Sequence, residues 1–477
     1  MIGSYKIVLK YILILLIPLA FVFNYFSSKD FKSSPNFILI VADDQGWNGT
    51  SVQMMDEESY SKSDYYETPN LELLANRGMK FSNAYAAAPV CAPSRYSIQF
   101  GKTPARLSLI RVGMNSSHIK HEEILSIPKA LKEINKDYVT AHFGKWGIGS
   151  SPELIGYDKS DGPTKNKDGG FTNDKDQWKF TVKKDPKKIF SITKKAVAFM
   201  KKNVLNKAPF FLQLSHFAVH SSFQMRDSTL KKYQAKSKGK YQKSAGLASM
   251  TEDLDDGLGI ILQNLKYLGI DDNTYVIYIS DNGSVPNVPG AKKYTYSYNH
   301  PLSRGKWDAM EGGIRIPFIV SGPGIGFNKQ CDDPVSSCDL LPTIMSLAGS
   351  EYNKAPNIDG GSLKSILLEE ENAIVERSVN GIFFHVPYRN KIALNRPHSA
   401  IRNGDYKLIK FHDNQQVLLF NLITDLKEKN DLSKIQPTKK KELETLLDEY
   451  LRNVHAPKWK EGITWKNNPI NTFNSFH

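Results

Sequence analysis

Asn36-Phe37-Ile38-Leu39-Ile40-Val41-Ala42 is an apolar run that ends abruptly in Asp43-Asp44. Uninterrupted apolar runs of this length read as strands covered on both faces, as in parallel sheets packed between helices. The pattern returns at Tyr138–Ala141, Pro209–Leu214, Tyr275–Ile279 and Pro317–Val320. Helical spacing of apolar residues lies between them, at Ile127–Ile134, Ser191–Val204 and Met250–Leu268. Strand alternating with helix predicts an α/β fold built on a doubly wound, mostly parallel sheet sandwiched by helices.

The polar residues fall at informative places. Asp43-Asp44, Lys145, His216 with His220, and Asp281-Asn282 each sit at or just past the carboxyl end of an expected strand. Ligands of open α/β sheets bind at that edge. Of the two histidines, His216 reads as a packing residue.

Beyond about residue 370 the texture changes. Short strands are expected at Ser399–Arg402, Tyr406–Lys410 and Gln416–Asn421, with Asn403-Gly404-Asp405 as a hairpin turn. A helix follows over Thr438–Val454, with Thr438 as its N-cap just after Pro437. The expected organisation is a leader over residues 1–28, a catalytic domain over 34–370, and an α+β subdomain of antiparallel sheet plus helix over 371–477.

Composition narrows the function classes. With 40% apolar and 23% charged residues, the chain is neither disordered, collagen-like nor coiled coil. Lys+Arg 63 against Asp+Glu 49 leaves +14, which favours an anionic partner. The lysines are scattered in pairs such as Lys183-Lys184 and Lys201-Lys202 and form no basic arm. They read as solvated helix faces, and no nucleic acid partner is expected.

Three cysteines are too few for a disulfide scaffold or a four-cysteine zinc site. Cys331 and Cys338 offer one pair, which leaves Cys91 odd. Lys6 and Lys10 precede the apolar Tyr11–Phe23 segment. About 13 residues suit a signal-peptide core better than a spanning helix, which needs about 20. An exported protein, periplasmic or secreted, is therefore expected. An uncleaved membrane anchor is the alternative, because counting from Ile7 lengthens the stretch.

Asp43, Asp44, Asp281 and Asn282 together offer three carboxylates and an amide oxygen. Such hard donors suit Ca²⁺ or Mg²⁺, not zinc. Alone, an adjacent Asp pair is more often a turn or a helix cap, so it is the convergence at matched strand ends that points to metal.

Cys91-Ala92-Pro93-Ser94-Arg95 opens toward a helix over Tyr96–Phe100. This Cys-x-Pro-x-Arg pattern resembles the recognition core of the type I sulfatases of the alkaline phosphatase superfamily. The resemblance runs from about Asn36 to about Ser433, nearly the whole chain past the leader. Its other elements follow in family order: Gly144-Lys145-Trp146, His220, Asp281-Asn282-Gly283, Arg304-Gly305-Lys306, Glu311-Gly312-Gly313-Ile314-Arg315 and the tail Ala400–Leu408.

The resemblance implies an alkaline phosphatase-like fold, a large mixed sheet with a smaller C-terminal one, and a sulfuric ester hydrolase. It implies that a formylglycine-generating maturation enzyme oxidises Cys91 to formylglycine (3-oxoalanine), whose hydrate attacks the sulfate ester. One divalent cation, Ca²⁺ before Mg²⁺, is then held by Asp43, Asp44, Asp281, Asn282 and the modified Cys91. Arg95 braces the site, Lys145 and Lys306 surround the sulfate oxygens, and His220 with Lys306 protonates the departing alcohol.

Two positions depart from the family. Gly147 stands where Gly-Lys-Trp-His is usual, and Phe100-Gly101 stands where the signature continues to Thr-Gly. The first removes a proton-transfer group, and the second bears on recognition by the maturation enzyme. The expected substrate is a sulfated poly- or oligosaccharide, with His385, Tyr388, Arg389 and His398 as candidate subsite residues. The alternatives are a phospho- or phosphonate-ester hydrolase of the same superfamily and a degenerate binder of sulfated glycans.

Overall fold

A computed structural model describes residues 34–286, 299–350, 357–389 and 396–459. The expected leader lies outside the described residues. Among those described, no helix is long and apolar enough to cross a membrane.

The main sheet has eight strands: β1 (Asn36–Ala42), β2 (Gly78–Phe81), β3 (Val139–Gly144), β4 (Lys159–Ser160), β5 (Phe210–Ser215), β6 (Thr274–Ser280), β7 (Phe318–Ser321) and β8 (Lys329–Cys331). Their order is β8-β2-β7-β6-β1-β5-β3-β4. β1 pairs parallel with both β5 and β6, and β3 is parallel to β5 and β4. β7 runs antiparallel to both of its neighbours, which makes the sheet mixed.

Alternation along β1 explains the layering. Phe37, Leu39 and Val41 face one apolar core, and Ile38, Ile40 and Ala42 face the other. The helices supply the two covers. α1 (Pro69–Asn76), α4 (Ile189–Leu205), α5 (Asp227–Ala235) and α6 (Ala245–Tyr267) cover the second core. α2 (Cys91–Phe100), α3 (Ile127–Ile134) and α7 (Leu340–Leu347) cover the first.

The C-terminal sheet comprises β9 (Ile382–Val386), β10 (His398–Asn403), β11 (Tyr406–Phe411) and β12 (Val417–Asn421), all antiparallel in sequence order. Asn403 pairs with Tyr406, so Gly404-Asp405 form the two-residue turn the sequence signals. β9 is not foreseen, because Ile382-Phe383-Phe384-His385-Val386 has no turn signal directly before the next strand. One face of this sheet packs on α8 (Pro437–Asn453) through Phe383, Ile401 and Leu408 against Leu443, Leu447 and Tyr450. The other face packs Phe384, Ala400 and Ile409 against Tyr85, Ile110 and Met310.

Two expectations need correction. Thr438 is not the N-cap of α8: Gln436 holds that position and Pro437 opens the first turn. Proline fits there because its missing N–H has no intrahelical partner to lose. Cys331 and Cys338 do not pair, and both are free, buried thiols. The residues between them form the short strand Val335–Ser336 along Ala84–Tyr85, which carries Cys338 onward into the capped turn before α7.

Candidate active site

Parallel register brings the polar residues together. Val41 pairs with Ser215, Ala42 with Ser280 and Gly144 with Ser215, so four strands end at one level. Each hands over to a polar residue at the next position: Asp43, His216, Asp281 and Lys145. Backbone bonds continue past the strand ends, from Asp43 N to Ala218 O at 2.8 Å and from Asp281 N to Ala42 O at 3.0 Å. Asp44 sits in the left-handed region at φ 62°, one of the few residue types that tolerate it.

Close backbone approach positions the remaining cation. A Cβ at Gly283 would lie 1.9 Å from Gly312 O, so only glycine admits the loop that carries Lys306 and Glu311. Lys306 N donates to Ser284 O at 3.0 Å, and Trp307 N donates to Pro89 O at 2.9 Å, tying that loop to the start of α2.

The result is a buried cluster. Asp43, Asp44, Asp281 and Cys91 each offer one ligand atom, all within 4.8 Å of one another. The Cys91 thiol faces Asp43 Oδ1 at 3.5 Å and Asp44 Oδ1 at 3.6 Å. Lys145 Nζ donates to both Asp43 oxygens, at 2.8 and 2.7 Å. Lys306 Nζ does the same to Asp44, at 2.6 and 2.8 Å, and lies 3.3 Å from Cys91 Sγ. Arg95 Nε donates to Asp281 Oδ2 at 2.8 Å while its Nη1 donates to Lys145 O at 2.7 Å. Asn282 Nδ2 donates to Asp44 Oδ1 at 2.8 Å, and Asn282 Oδ1 is buried without a hydrogen-bond partner among the described residues.

Electrostatics set the protonation states. Burial alone would raise the Asp43 and Asp44 carboxyls, but the Lys145 ammonium beside the first and Lys306 beside the second hold both below the usual range. Burial, then Asp281, pushes the Cys91 thiol far up, so unmodified Cys91 is no thiolate nucleophile at neutral pH. Burial lowers His220 to about 4 against the opposing pull of Asp44, leaving the ring neutral. Its Nδ1 donates to Ser221 O, and its Nε2 faces Asp44 Oδ2 at 3.6 Å and Asn166 Nδ2 at 3.4 Å. His216, also lowered by burial to about 4, packs at the strand end.

This cluster floors a cavity of about 700 Å³, and Asp44, Cys91, Lys145, His220 and Lys306 are among its lining residues. The sulfatase family model matches residues 35–350, and the N-sulphoglucosamine sulphohydrolase C-terminal model matches 306–456. The chain belongs to the sulfatase family. It is 28% identical to a sulfatase of Formosa agariphila over 495 residues, covering 86% of this chain and 87% of that one. It is 25% identical to the ulvan-active sulfatase of the same organism, covering 89% and 83%. The crystal structure of Ps i-CgsB in complex with k-i-k-neocarrahexaose superposes with a TM-score of 0.71 at 27% identity, covering 89% of this chain and 94% of that chain. The protein is thus a sulfuric ester hydrolase with an alkaline phosphatase-like fold.

The structure of this sulfatase places the expected subsite residues elsewhere. Alternation along β9 turns Phe384 toward the main domain and His385 toward α8. His385 bonds to Ser399 Oγ at 2.7 Å and Pro457 O at 2.6 Å, and it lines a separate cavity of about 770 Å³ with His412 and Trp459. His398 Nε2 accepts from Ala309 N at 2.9 Å, a buried structural bond. Tyr388 is core, and Arg389 lies 4.0 Å from Asp413. None of the four lines the cavity above the Asp43–Asp44–Cys91 cluster. Residues the sequence did not single out do line it, among them Arg111, Lys165, Asn166, Lys167, Phe171 and Trp307. Only Trp307, adjacent to Lys306, carried a positional hint.

Gly147 adopts φ 74°, and a Cβ there would lie 3.2 Å from Arg95 Cδ. A histidine introduced at this position starts from a strained backbone and crowds the residue that holds Asp281. Gly147→Ala is expected to cost about 1–2 kcal/mol of stability. An unchanged denaturant midpoint would contradict this backbone reading.

Proposed function

We propose that this sulfatase is exported and removes sulfate from a sulfated carbohydrate, using a divalent cation and a formylglycine derived from Cys91. The observation that carries the reading is the cluster of Asp43, Asp44, Asp281 and Cys91 donors at the floor of the cavity, flanked by two ammonium groups. Asp43, Asp44, Asp281 and the orphan Asn282 Oδ1 would hold the cation. All are hard oxygen donors, and the amide oxygen otherwise has no partner among the described residues. When bound, the cation supplies Lewis-acid polarisation and charge neutralisation, with Ca²⁺ preferred over Mg²⁺. Formylglycine would supply the hydrated aldehyde as nucleophile where the buried thiol is inert.

The chain's own groups do the rest. Arg95 fixes a carboxylate ligand and the backbone that bears Lys145 in one grip. Lys145 and Lys306 stand on opposite carboxylates, so their ammonium groups flank the place where sulfate oxygens would gather charge. Lys306 is held protonated, since Asp44 outweighs the burial that would lower it. His220 enters neutral, and an anionic sulfate beside it would favour its protonated form. That pair then serves the departing oxygen.

The carbohydrate assignment is supported by the Phe171, Trp178 and Trp307 rings lining the cavity, which suit sugar faces, and by the glycans named for the relatives. Full-length protein made with a formylglycine-generating enzyme is expected to release inorganic sulfate from sulfated oligosaccharides. It should also prefer an aryl sulfate to the matched aryl phosphate. Silence across a broad glycan panel, with formylglycine confirmed by mass spectrometry, would count against the reading.

Metal binding has its own readout. At 100-fold excess over its dissociation constant, Ca²⁺ is expected to stabilise the fold by about 2.7 kcal/mol. Asn282→Ala should weaken this. A melting temperature indifferent to Ca²⁺, Mg²⁺ and chelator contradicts the assignment.

A further inference from the structure

We propose that Glu428, from the C-terminal sheet's side of the molecule, is a positioning residue that sets Lys306 in place for the departing oxygen; this rests on the role given to Lys306 above. Glu428 lies in the turn after β12. Asp425 Oδ2 closes that turn by accepting from Lys429 N at 2.8 Å and Asn430 N at 2.7 Å, and Glu428 N donates to Asp425 O at 3.1 Å. Glu428 itself sits in the left-handed region at φ 52° and is only 7% exposed. Its two carboxylate oxygens divide their partners. Oε1 faces the Lys407 ammonium at 2.7 Å, and Lys407 also holds Glu311 Oε1 at 2.9 Å. Oε2 accepts from Ser303 Oγ and, at 2.8 Å, from Glu311 N. Ser303 and Glu311 are the two ends of the loop that carries Lys306. Gly312 N donates to Ser303 O at 2.8 Å, so those ends are neighbours and one carboxylate oxygen clamps both. His398 on β10 adds a second grip, accepting from Ala309 N at 2.9 Å.

The loop needs such a clamp. Arg304 and Trp307, on either side of Lys306, hold φ at 61° and 83°. Residues other than glycine keep that conformation only where the surroundings enforce it. The main domain bonds the middle of the loop, from Lys306 N to Ser284 O and from Trp307 N to Pro89 O, whereas the side-chain clamp on its ends is Glu428. With the ends released, the backbone can relax toward ordinary φ, and the Lys306 ammonium, 2.6 Å from Asp44 Oδ1, shifts with it. Misplacement of a reacting group by about 1 Å can cost about 10²-fold in rate.

Leaving-group dependence reads the placement of Lys306 separately from stability. Fully converted Glu428→Ala enzyme is expected to lose about 100-fold in kcat on phenyl sulfate, whose phenolate needs a proton, and about tenfold or less on 4-nitrophenyl sulfate, whose phenolate leaves unaided. Glu428→Gln, which keeps an oxygen for Ser303 and Glu311 N, should recover most of that bias. Ser303→Ala leaves every buried charge in place; it should show the same bias at about three- to tenfold, and it serves if Glu428→Ala does not fold. Lys306→Ala checks the underlying role by the same comparison. Where Lys306→Ala shows the bias, equal losses on the two esters in a folded Glu428 or Ser303 variant overturn the inference. If Lys306→Ala slows both esters equally, or wild type cleaves neither, that role fails, and amide exchange decides whether Glu428 places the loop. Exchange over residues 303–312, followed by mass spectrometry, should rise severalfold in Glu428→Ala or Ser303→Ala while the Asp43-Asp44 peptide stays unchanged. Unchanged exchange over 303–312 overturns the inference.

Discussion

Cys91→Ala should lower kcat by ~10⁴-fold or more while leaving the fold and the cation-induced thermal shift in place. The thiol contributes little to packing. Its polar contacts are long ones to Asp43, Asp44 and Lys306, and without it Asp43 stays paired with Lys145 and Asp44 with Lys306. Its loss removes the atom from which the nucleophile is made. Burial has pushed the unmodified thiol too high to act as a thiolate, so no fallback chemistry resides in the cysteine itself. Residual turnover within tenfold of wild type would show that the attacking group lies elsewhere.

The second large effect is on stability, at the junction between the two sheets. Lys407, fully buried on β11, bonds to Glu311 Oε1 at 2.9 Å and Glu428 Oε1 at 2.7 Å. Arg315 Nε bonds to Glu311 Oε2 at 2.8 Å, and Tyr85 OH donates to the same oxygen at 3.1 Å. Glu311 N donates to Glu428 Oε2 at 2.8 Å. Removing one member leaves uncompensated charge in a dry interior, so Lys407→Met is expected to cost about 3–5 kcal/mol. A loss below 1 kcal/mol by denaturant titration would contradict it.

The pH dependence follows from the same cluster. Burial opposes ionisation of Glu311, but Lys407 and Arg315 outweigh it and hold the carboxyl at about 2. A depressed carboxyl contributes stability above the unfolded value of 4.5, and that contribution is lost as pH falls from 4.5 toward 2. Glu428, raised by burial, works in the opposite sense. Glu311→Gln should therefore lose less stability than wild type over that acid interval.

The catalytic half was legible because parallel strands announce themselves locally. Each apolar run ended near the residue that the register then set beside its neighbours, so Asp43, Lys145 and Asp281 were read from strand ends, whereas choosing His220 over His216 took the family order. Lys306 and Arg95 needed the family pattern, since no periodicity places a loop lysine against Asp44. The outer cavity was not legible. Arg111, Lys165 and Lys167 come from irregular segments whose approach depends on tertiary packing around Asn166 and His220. His385 and His398 misled because the sheet they belong to faces α8 on one side and the buried Ala309 segment on the other. Cys331 and Cys338 were offered as a pair from the cysteine count and expected export, neither of which says anything about the direction of a Cβ.

The central claim is best tested by measuring sulfate release against the fraction of Cys91 converted to formylglycine, by mass spectrometry of its peptide across preparations matured to different extents. The account predicts turnover in Ca²⁺ proportional to that fraction and vanishing at zero conversion. Full activity in protein whose Cys91 is entirely unmodified would contradict it.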